Sequence, residues 1–196
     1  MSSYTVIGNL QSRTFRVLWM LEELGLPYTL EEGTPRSEIV MAHNASGKIP
    51  VLLDGDVALT DSTAIMTYLA DKHGALTYPA GSLDRARQDG WTQLVLDELD
   101  ANVWTAARHS FVLPKEQRVA EVKDSLKWEF ARSLAQISER LADQPFLMGE
   151  MMTVPDIILC HCLGWAHIAK YDAADARLQD YQNRLLARPA FSAVLS

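Results

Sequence analysis

Apolar positions in the first part of the chain switch between two periods. Residues 5–7 form a short β-prone run closed by Gly8, and residues 15–24 repeat with helical spacing until Gly25-Leu26-Pro27 stops them. Phe15, Val17, Leu18, Trp19, Met20, Leu21 and Leu24 occupy most of that helix's circumference, which predicts cover on more than one side. Residues 28–30 read as the next strand, and 37–43 as a short helix or irregular turn. Residues 49–59 contain two apolar runs hinged at Asp54-Gly55-Asp56, a hairpin signal. Thr60, Asp61 and Ser62 then precede Ile65, Met66, Tyr68 and Leu69, spaced as a helix that runs to Lys72-His73-Gly74. The predicted order is βαβαββα.

After Gly74 the pattern changes. Residues 75–82 are rich in turn formers, including Pro79 and Gly81, and no strand signal follows. Helical periodicity covers residues 83–111, 115–141, 152–169 and 177–187, with Pro114 at the start of the second segment and Arg188-Pro189 ending the last. The expected organisation is an α/β domain over residues 1–76, a linker over 77–84 and an all-helical domain over 85–196, with its first two long helices antiparallel.

Composition narrows the class of protein. The chain has 196 residues, an ordinary globular balance of apolar and charged residues, and a net charge of −7 with 18 Lys and Arg. That balance lacks the basic cluster a nucleic-acid surface needs. The N-terminus has neither the basic start nor the apolar run of a secretory signal, and no apolar stretch reaches the ~18 to 20 residues of a membrane span, so a cytoplasmic protein is expected. Cys160 and Cys162 diverge around a helix and are expected as reduced thiols. The run Cys160-His161-Cys162 lacks a second ligand cluster at zinc-site spacing, so no metal is expected.

Three local features carry chemistry. Pro50 stands immediately before a strand that should be central, where it cannot donate to the ladder. Either it is an ordinary trans turn proline, or a cis Ile49-Pro50 bond leaves the Ile49 main chain outside the sheet for an extended peptide to pair with. Asp61-Ser62 is either a helix cap or an α-amino acid site as well, in which the helix N-terminus and the Ser62 hydroxyl hold a carboxylate while Asp61 accepts from an ammonium group. Thr153 and Asp156 have the spacing of a capping box and belong to folding.

Gly47-Lys48-Ile49-Pro50-Val51-Leu52 followed by Asp61-Ser62-Thr63-Ala64-Ile65 closely resembles the glutathione-binding signature of glutathione transferases. Residues 19–28 resemble that family's first helix and second strand, Thr153-Val154-Pro155-Asp156-Ile157 its capping box, and residues 184–189 its C-terminal helix ending. The resemblance implies a thioredoxin-like N-terminal domain joined to a helical domain, glutathione as co-substrate, an electrophilic, apolar second substrate, and a homodimer. It implies glutathione contacts at Lys48, Ile49, Pro50, Asp61 and Ser62. Peroxide reduction is a variant of the implied activity, and a non-enzymatic glutathione-binding or protein-interaction module on the same fold is the alternative.

The resemblance also implies a Tyr, Ser or Cys beside the first strand that stabilises the glutathione thiolate. Tyrosine-type members carry that residue at the strand's end, where this chain has Gly8, and no cysteine precedes Cys160. Ser12 is similar in placement to the serine of serine-type members. A free thiol titrates near ~8.5, and lowering it by two units takes ~2.7 kcal/mol. A hydrogen bond to the charged form gives ~1.5 to 3 kcal/mol and a helix N-terminus ~0.3 to 1. Ser12 is therefore expected as a donor to sulfur, with no base behind it. The glycine carboxylate falls to Lys48, Arg36 or His43, with the motif favouring Lys48. Trp104, Arg108, His109 and Phe111 are candidates to line the second substrate's pocket, although Trp and Phe at helical spacing are more often core residues.

Overall fold

The structure, a computed structural model, describes residues 4–171 and 174–196. Strand β1 (Tyr4–Gly8) is followed by α1 (Thr14–Glu23), β2 (Tyr28–Glu32), α2 (Glu38–Met41), β3 (Val51–Asp54), β4 (Val57–Thr60) and α3 (Ser62–His73). β1 pairs with β2 in parallel and with β3 antiparallel, and β3 pairs antiparallel with β4, giving the strand order β2-β1-β3-β4. This is the βαβαββα arrangement of a thioredoxin-like domain that the periodicity predicts.

Alternation along the strands divides the core. Ile7 and Val51 pair across β1 and β3 and face Val40 of α2, with Ile39, Ile49, Leu53 and Ala58 packed around them. Val6 and Leu52, the next pair, point to the other face and are fully buried, on the side of α1 and α3. α1 is buried from Thr14 to Leu21, because it meets β1, α3 and a further one-turn helix, α9 (Pro189–Ala193). That helix supplies the second layer which the all-round apolar pattern of α1 requires. Residues up to Ser82 together with Ala187–Ser196 form one compact unit, and Leu83–Leu186 form the other.

The second unit is helical, built from α4 (Leu83–Leu94), α5 (Ala101–Ala107), α6 (Val122–Leu141), α7 (Val154–Ile168) and α8 (Ala176–Leu186). The wider π turns Val95–Asp100 and Arg108–Val112 interrupt and end the first long helical run. α6 runs antiparallel to it: the Arg140 guanidinium lies 3.9 Å from the Trp91 ring centroid, the Ser133 hydroxyl donates to Glu98 at 2.6 Å, and the Val119 N–H donates to His109 Nδ1 at 3.0 Å. The helix predicted over 115–141 begins at Val122, after a 3₁₀ turn at Lys115–Gln117. Competing bonds account for the delay. The Arg118 guanidinium donates to the Leu113 and Phe111 carbonyls at 2.8 and 3.1 Å, and His109 takes the Val119 N–H, so this stretch is tied to the preceding helix end.

α7 forms the centre of this unit, with Ile157, Ile158, Leu159 and Cys162 fully buried and Cys160 nearly so. Its N-terminus carries the predicted capping box. The Asp156 carboxylate, fully buried, accepts from the Thr153 N–H at 2.7 Å, the Thr153 hydroxyl at 3.0 Å, the Leu147 N–H at 2.9 Å and the Tyr181 hydroxyl at 2.8 Å. Burial pushes this carboxyl up and the four donors pull it back. Asp156 thus ties α7 to α8 and to the turn before α7. Cys160 and Cys162 are reduced thiols, as expected, and burial pushes Cys160 up to about 12.

Candidate active site at one end of the sheet

Three segments named by the sequence leave the sheet at the same end. Ile7 pairs with Val51, and Val51 pairs with Thr60, so these residues form one row across β1, β3 and β4. The chain leaves β1 immediately after that row at Gly8, enters β3 immediately before it through Ile49-Pro50, and leaves β4 after it at Asp61-Ser62. Adjacent strands lie ~4.8 Å apart, so the row spans roughly 10 Å, close to the reach of an extended tripeptide at ~3.3 to 3.6 Å per residue. Both α1 and α3 begin at this end, so the positive ends of both helix dipoles face it.

The β1–α1 loop holds Ser12 by local bonds. Its Oγ lies 2.8 Å from the Asn9 carbonyl and 2.8 Å from Thr14 Oγ1, and it accepts the Thr14 N–H at 3.1 Å. The single hydroxyl proton can serve one of the two oxygens at a time. Ser12 is half-buried, with its hydroxyl inside the loop that opens α1. Asn9 fastens the loop to the β2 side through Nδ2 to the Gly33 carbonyl at 3.3 Å, and the Gly33 N–H donates to the Gly8 carbonyl at 3.0 Å. A Cβ at Gly8 would stand 2.1 Å from Thr14 Oγ1, so the glycine makes room for the threonine that partners Ser12. Tyr4 lies at the opposite end of β1, where its hydroxyl meets His73 Nε2 at 2.9 Å.

The segment before β3 presents main chain. The Ile49-Pro50 peptide is cis, and the Ile49 side chain packs against the Ile7, Val40 and Val51 cluster. The Lys48 carbonyl accepts from Asn44 Nδ2 at 2.8 Å, and Asn44 Oδ1 accepts from the Ser46 N–H and hydroxyl at 3.1 and 2.8 Å. Lys48, Arg36 and His43 are all exposed. The Arg36 N–H donates to the Gly47 carbonyl at 2.9 Å, which brings the loop after β2 against the entry to β3.

Asp61 caps α3, as its position predicts. Its Oδ1 accepts the Thr63 and Ala64 N–H groups at 2.9 and 3.1 Å. Its φ of 71° is unusual for a residue other than glycine, a conformation that costs energy and recurs at binding sites. Asp61 is exposed, whereas Ser62 is 3% exposed and its hydroxyl has no hydrogen-bond partner among the described residues. The cap therefore uses one carboxylate oxygen of Asp61 and none of the Ser62 hydroxyl.

The candidates for a second-substrate pocket lie in the helical unit. Trp104 is half-buried on α5, and Arg108 is exposed, donating through Nη2 to Thr105 Oγ1 at 3.0 Å. Phe111 is 70% exposed, against the expectation of a core residue. It sits in the second π segment, where the wider turn breaks four-residue stacking and no residue is buried.

The family assignment comes from comparison with known sequences. Residues 12–72 match the family model described as glutathione S-transferase, N-terminal domain, and residues 101–189 match glutathione S-transferase, C-terminal domain. The chain belongs to the glutathione S-transferase family. Glutathione S-transferase 4 of Zea mays is 28% identical to it over 191 residues, 91% of this chain and 85% of that protein. A probable elongation factor 1-gamma 2 of Arabidopsis thaliana is 30% identical over 172 residues, 83% of this chain and 40% of that protein. Among solved structures, the theta class glutathione S-transferase of Xanthomonas axonopodis pv. citri, with glutathione bound, is 26% identical with a TM-score of 0.79, covering 100% of this chain and 99% of its own.

Sequence reasoning missed four residues that shape this transferase's candidate site. Asn9 and Thr14 fix Ser12, Gly8 makes room for Thr14, and Asn44 fixes Lys48. Asn44-Ala45-Ser46 carries an Asx-turn signal in the sequence. Thr14 has none, because a threonine opening a helix reads simply as part of it.

Proposed function

We propose that this glutathione transferase holds glutathione along the Ile49 main chain and stabilises its thiolate with the Ser12 hydroxyl for attack on an electrophilic, apolar small molecule. The observation that carries the reading is the convergence of the Ser12 loop, Ile49-Pro50 and Asp61-Ser62 on one end of the sheet over the reach of a tripeptide. The Ile49 N–H and C=O pair with the peptide's main chain. The γ-glutamyl carboxylate takes the Ser62 hydroxyl and the favourable field of the α3 N-terminus, and its ammonium takes the carboxylate oxygen that Asp61 does not use as a cap. Lys48 is exposed at the glycine end and supplies the charge for that carboxylate.

At the sulfur, Ser12 acts as a donor. Its proton leaves the Asn9 carbonyl or Thr14 Oγ1 for the thiolate, because a charged acceptor forms the stronger bond. The α1 N-terminus adds a favourable field. The thiolate then attacks the electrophilic atom, forming the carbon–sulfur bond as the leaving group departs or as the acceptor's double bond takes the electron pair. The proposed assembly is a homodimer in the cytoplasm.

The test is Ser12→Ala in a thiol-conjugation assay with an aryl halide acceptor. Loss of a hydrogen bond to a charged sulfur, ~1.5 to 3 kcal/mol, predicts a kcat at neutral pH lower by roughly ten- to a hundredfold and a bound thiol pKa higher by about 1 to 2 units. The KM for glutathione should hardly change. Wild-type kinetics in Ser12→Ala would remove Ser12 from the reaction.

A second reading is favoured by the elongation-factor relative, in which a comparable sequence forms part of a longer protein. On that reading the chain is an interaction module that binds glutathione without turnover. Glutathione binding with no conjugation by the wild-type protein would decide for it.

A further inference from the structure

Arg188 and Phe191 lie far along the chain from α1, yet they hold it at two points on one stripe. Phe15, Trp19 and Glu23 recur four residues apart on that helix. The Phe191 ring meets Phe15 at 5.2 Å and Trp19 at 5.0 Å, both edge to face, and Phe15 and Trp19 meet at 6.3 Å. Arg188 closes a fork on Glu23, with Nε to Oε1 and Nη2 to Oε2 both at 2.6 Å, while Trp19 Nε1 donates to the same carboxylate at 2.9 Å. The Glu23 side chain is 6% exposed. A bidentate pair in that setting fixes orientation far better than an exposed pair does.

Phe15 connects this clasp to the site. Its N–H donates to the Ser12 carbonyl at 3.1 Å, and the neighbouring Thr14 N–H donates to Ser12 Oγ. The first turn of a helix has few ladder bonds of its own, so packing on its side chains sets where it lies. Movement of the Phe15 ring therefore carries the backbone that aims the Ser12 hydroxyl.

We propose that Phe191, braced by the Arg188–Glu23 pair, is a positioning residue for Ser12. The one-turn helix α9 fixes the first turn of α1 and thereby the alignment of the hydroxyl with the glutathione sulfur. This inference rests on the reading of Ser12 given above. Hydrogen bonds weaken steeply on misalignment, whereas the grip on the peptide at Ile49, Asp61 and Ser62 is independent of α9. Loss of Phe191 should thus change the thiol and leave glutathione binding alone.

The test uses the full chain as wild type, Phe191→Ala, Phe191→Leu and Ser12→Ala. The readouts are the pKa of the bound glutathione thiol, from ultraviolet titration of the thiolate, and kcat and KM against pH. Phe191→Ala should raise the thiol pKa by about half to one unit and lower kcat at neutral pH about three- to tenfold, with the rate recovered at higher pH. The KM for glutathione should stay at the wild-type value, and Phe191→Leu should recover most of the shift. If Phe191→Ala does not fold, Arg188→Gln is measured in its place and should shift the thiol in the same direction. A shifted thiol in Ser12→Ala beside an unshifted one in the folded clasp variant overturns this inference alone. An unshifted thiol in Ser12→Ala overturns the reading of Ser12 and this inference with it.

Discussion

Asp61 caps a helix and, on the proposed function, serves fold and ligand together. Its Oδ1 satisfies two N–H groups of α3, its other carboxylate oxygen takes no part in the cap and is the proposed acceptor for a ligand ammonium, and its φ of 71° marks a conformation kept at some energetic cost. Asparagine caps helices about as well as aspartate but carries no charge. Asp61→Asn should therefore leave the melting temperature nearly unchanged while raising the KM for glutathione several-fold, by about 1 kcal/mol of lost attraction to the ammonium. Parallel thermal melts and steady-state kinetics check this, and a melting temperature that falls with an unmoved KM would reduce Asp61 to a cap. Ser12 differs in kind, since its present partners belong to its own loop and its proposed role begins when a stronger acceptor arrives.

Among the elements, α7 depends most on a single contact set. Thr153 starts the helix with its side chain and main chain both engaged by Asp156, and Asp156 also takes the Leu147 N–H and the Tyr181 hydroxyl. Thr153 is fully buried, so truncation leaves donors that water cannot reach. Thr153→Ala should cost ~1 kcal/mol or more of unfolding free energy in urea titration, without a change in the bound thiol pKa. The start of α6 shows the opposite balance. Periodicity placed a helix from residue 115, but side-chain bonds from Arg118 and to His109 hold residues 118–119 against the preceding helix end until Val122.

For the whole molecule, the last ten residues group with the first unit although the sequence between them is helical and belongs to the other. The apolar circumference of α1 is the cause, because α1 meets α9 as well as β1 and α3, and the Phe191 ring packs against Phe15 and Trp19. The proposed homodimer predicts a sedimentation mass twice that of one chain at micromolar concentration and neutral pH. A single-chain mass there would oppose it.

Sequence by itself determined the elements of the first unit, the hairpin at Asp54-Gly55-Asp56, the cap at Asp61 and the box at Thr153 and Asp156, because periods of 2 and 3.6 and short-range capping bonds are written in neighbouring residues. It also marked the Ser12, Ile49-Pro50 and Asp61-Ser62 segments as candidates. What the tertiary structure decided was the row Ile7–Val51–Thr60 that brings those segments to one end of the sheet, the close approach of Thr14 to Gly8, and the exposure of Phe111. It also decided the packing of α9 on α1. Each of these joins residues distant in the chain or depends on the winding of a particular turn, and neither strand register nor the number of residues per turn is encoded in any one short run of sequence.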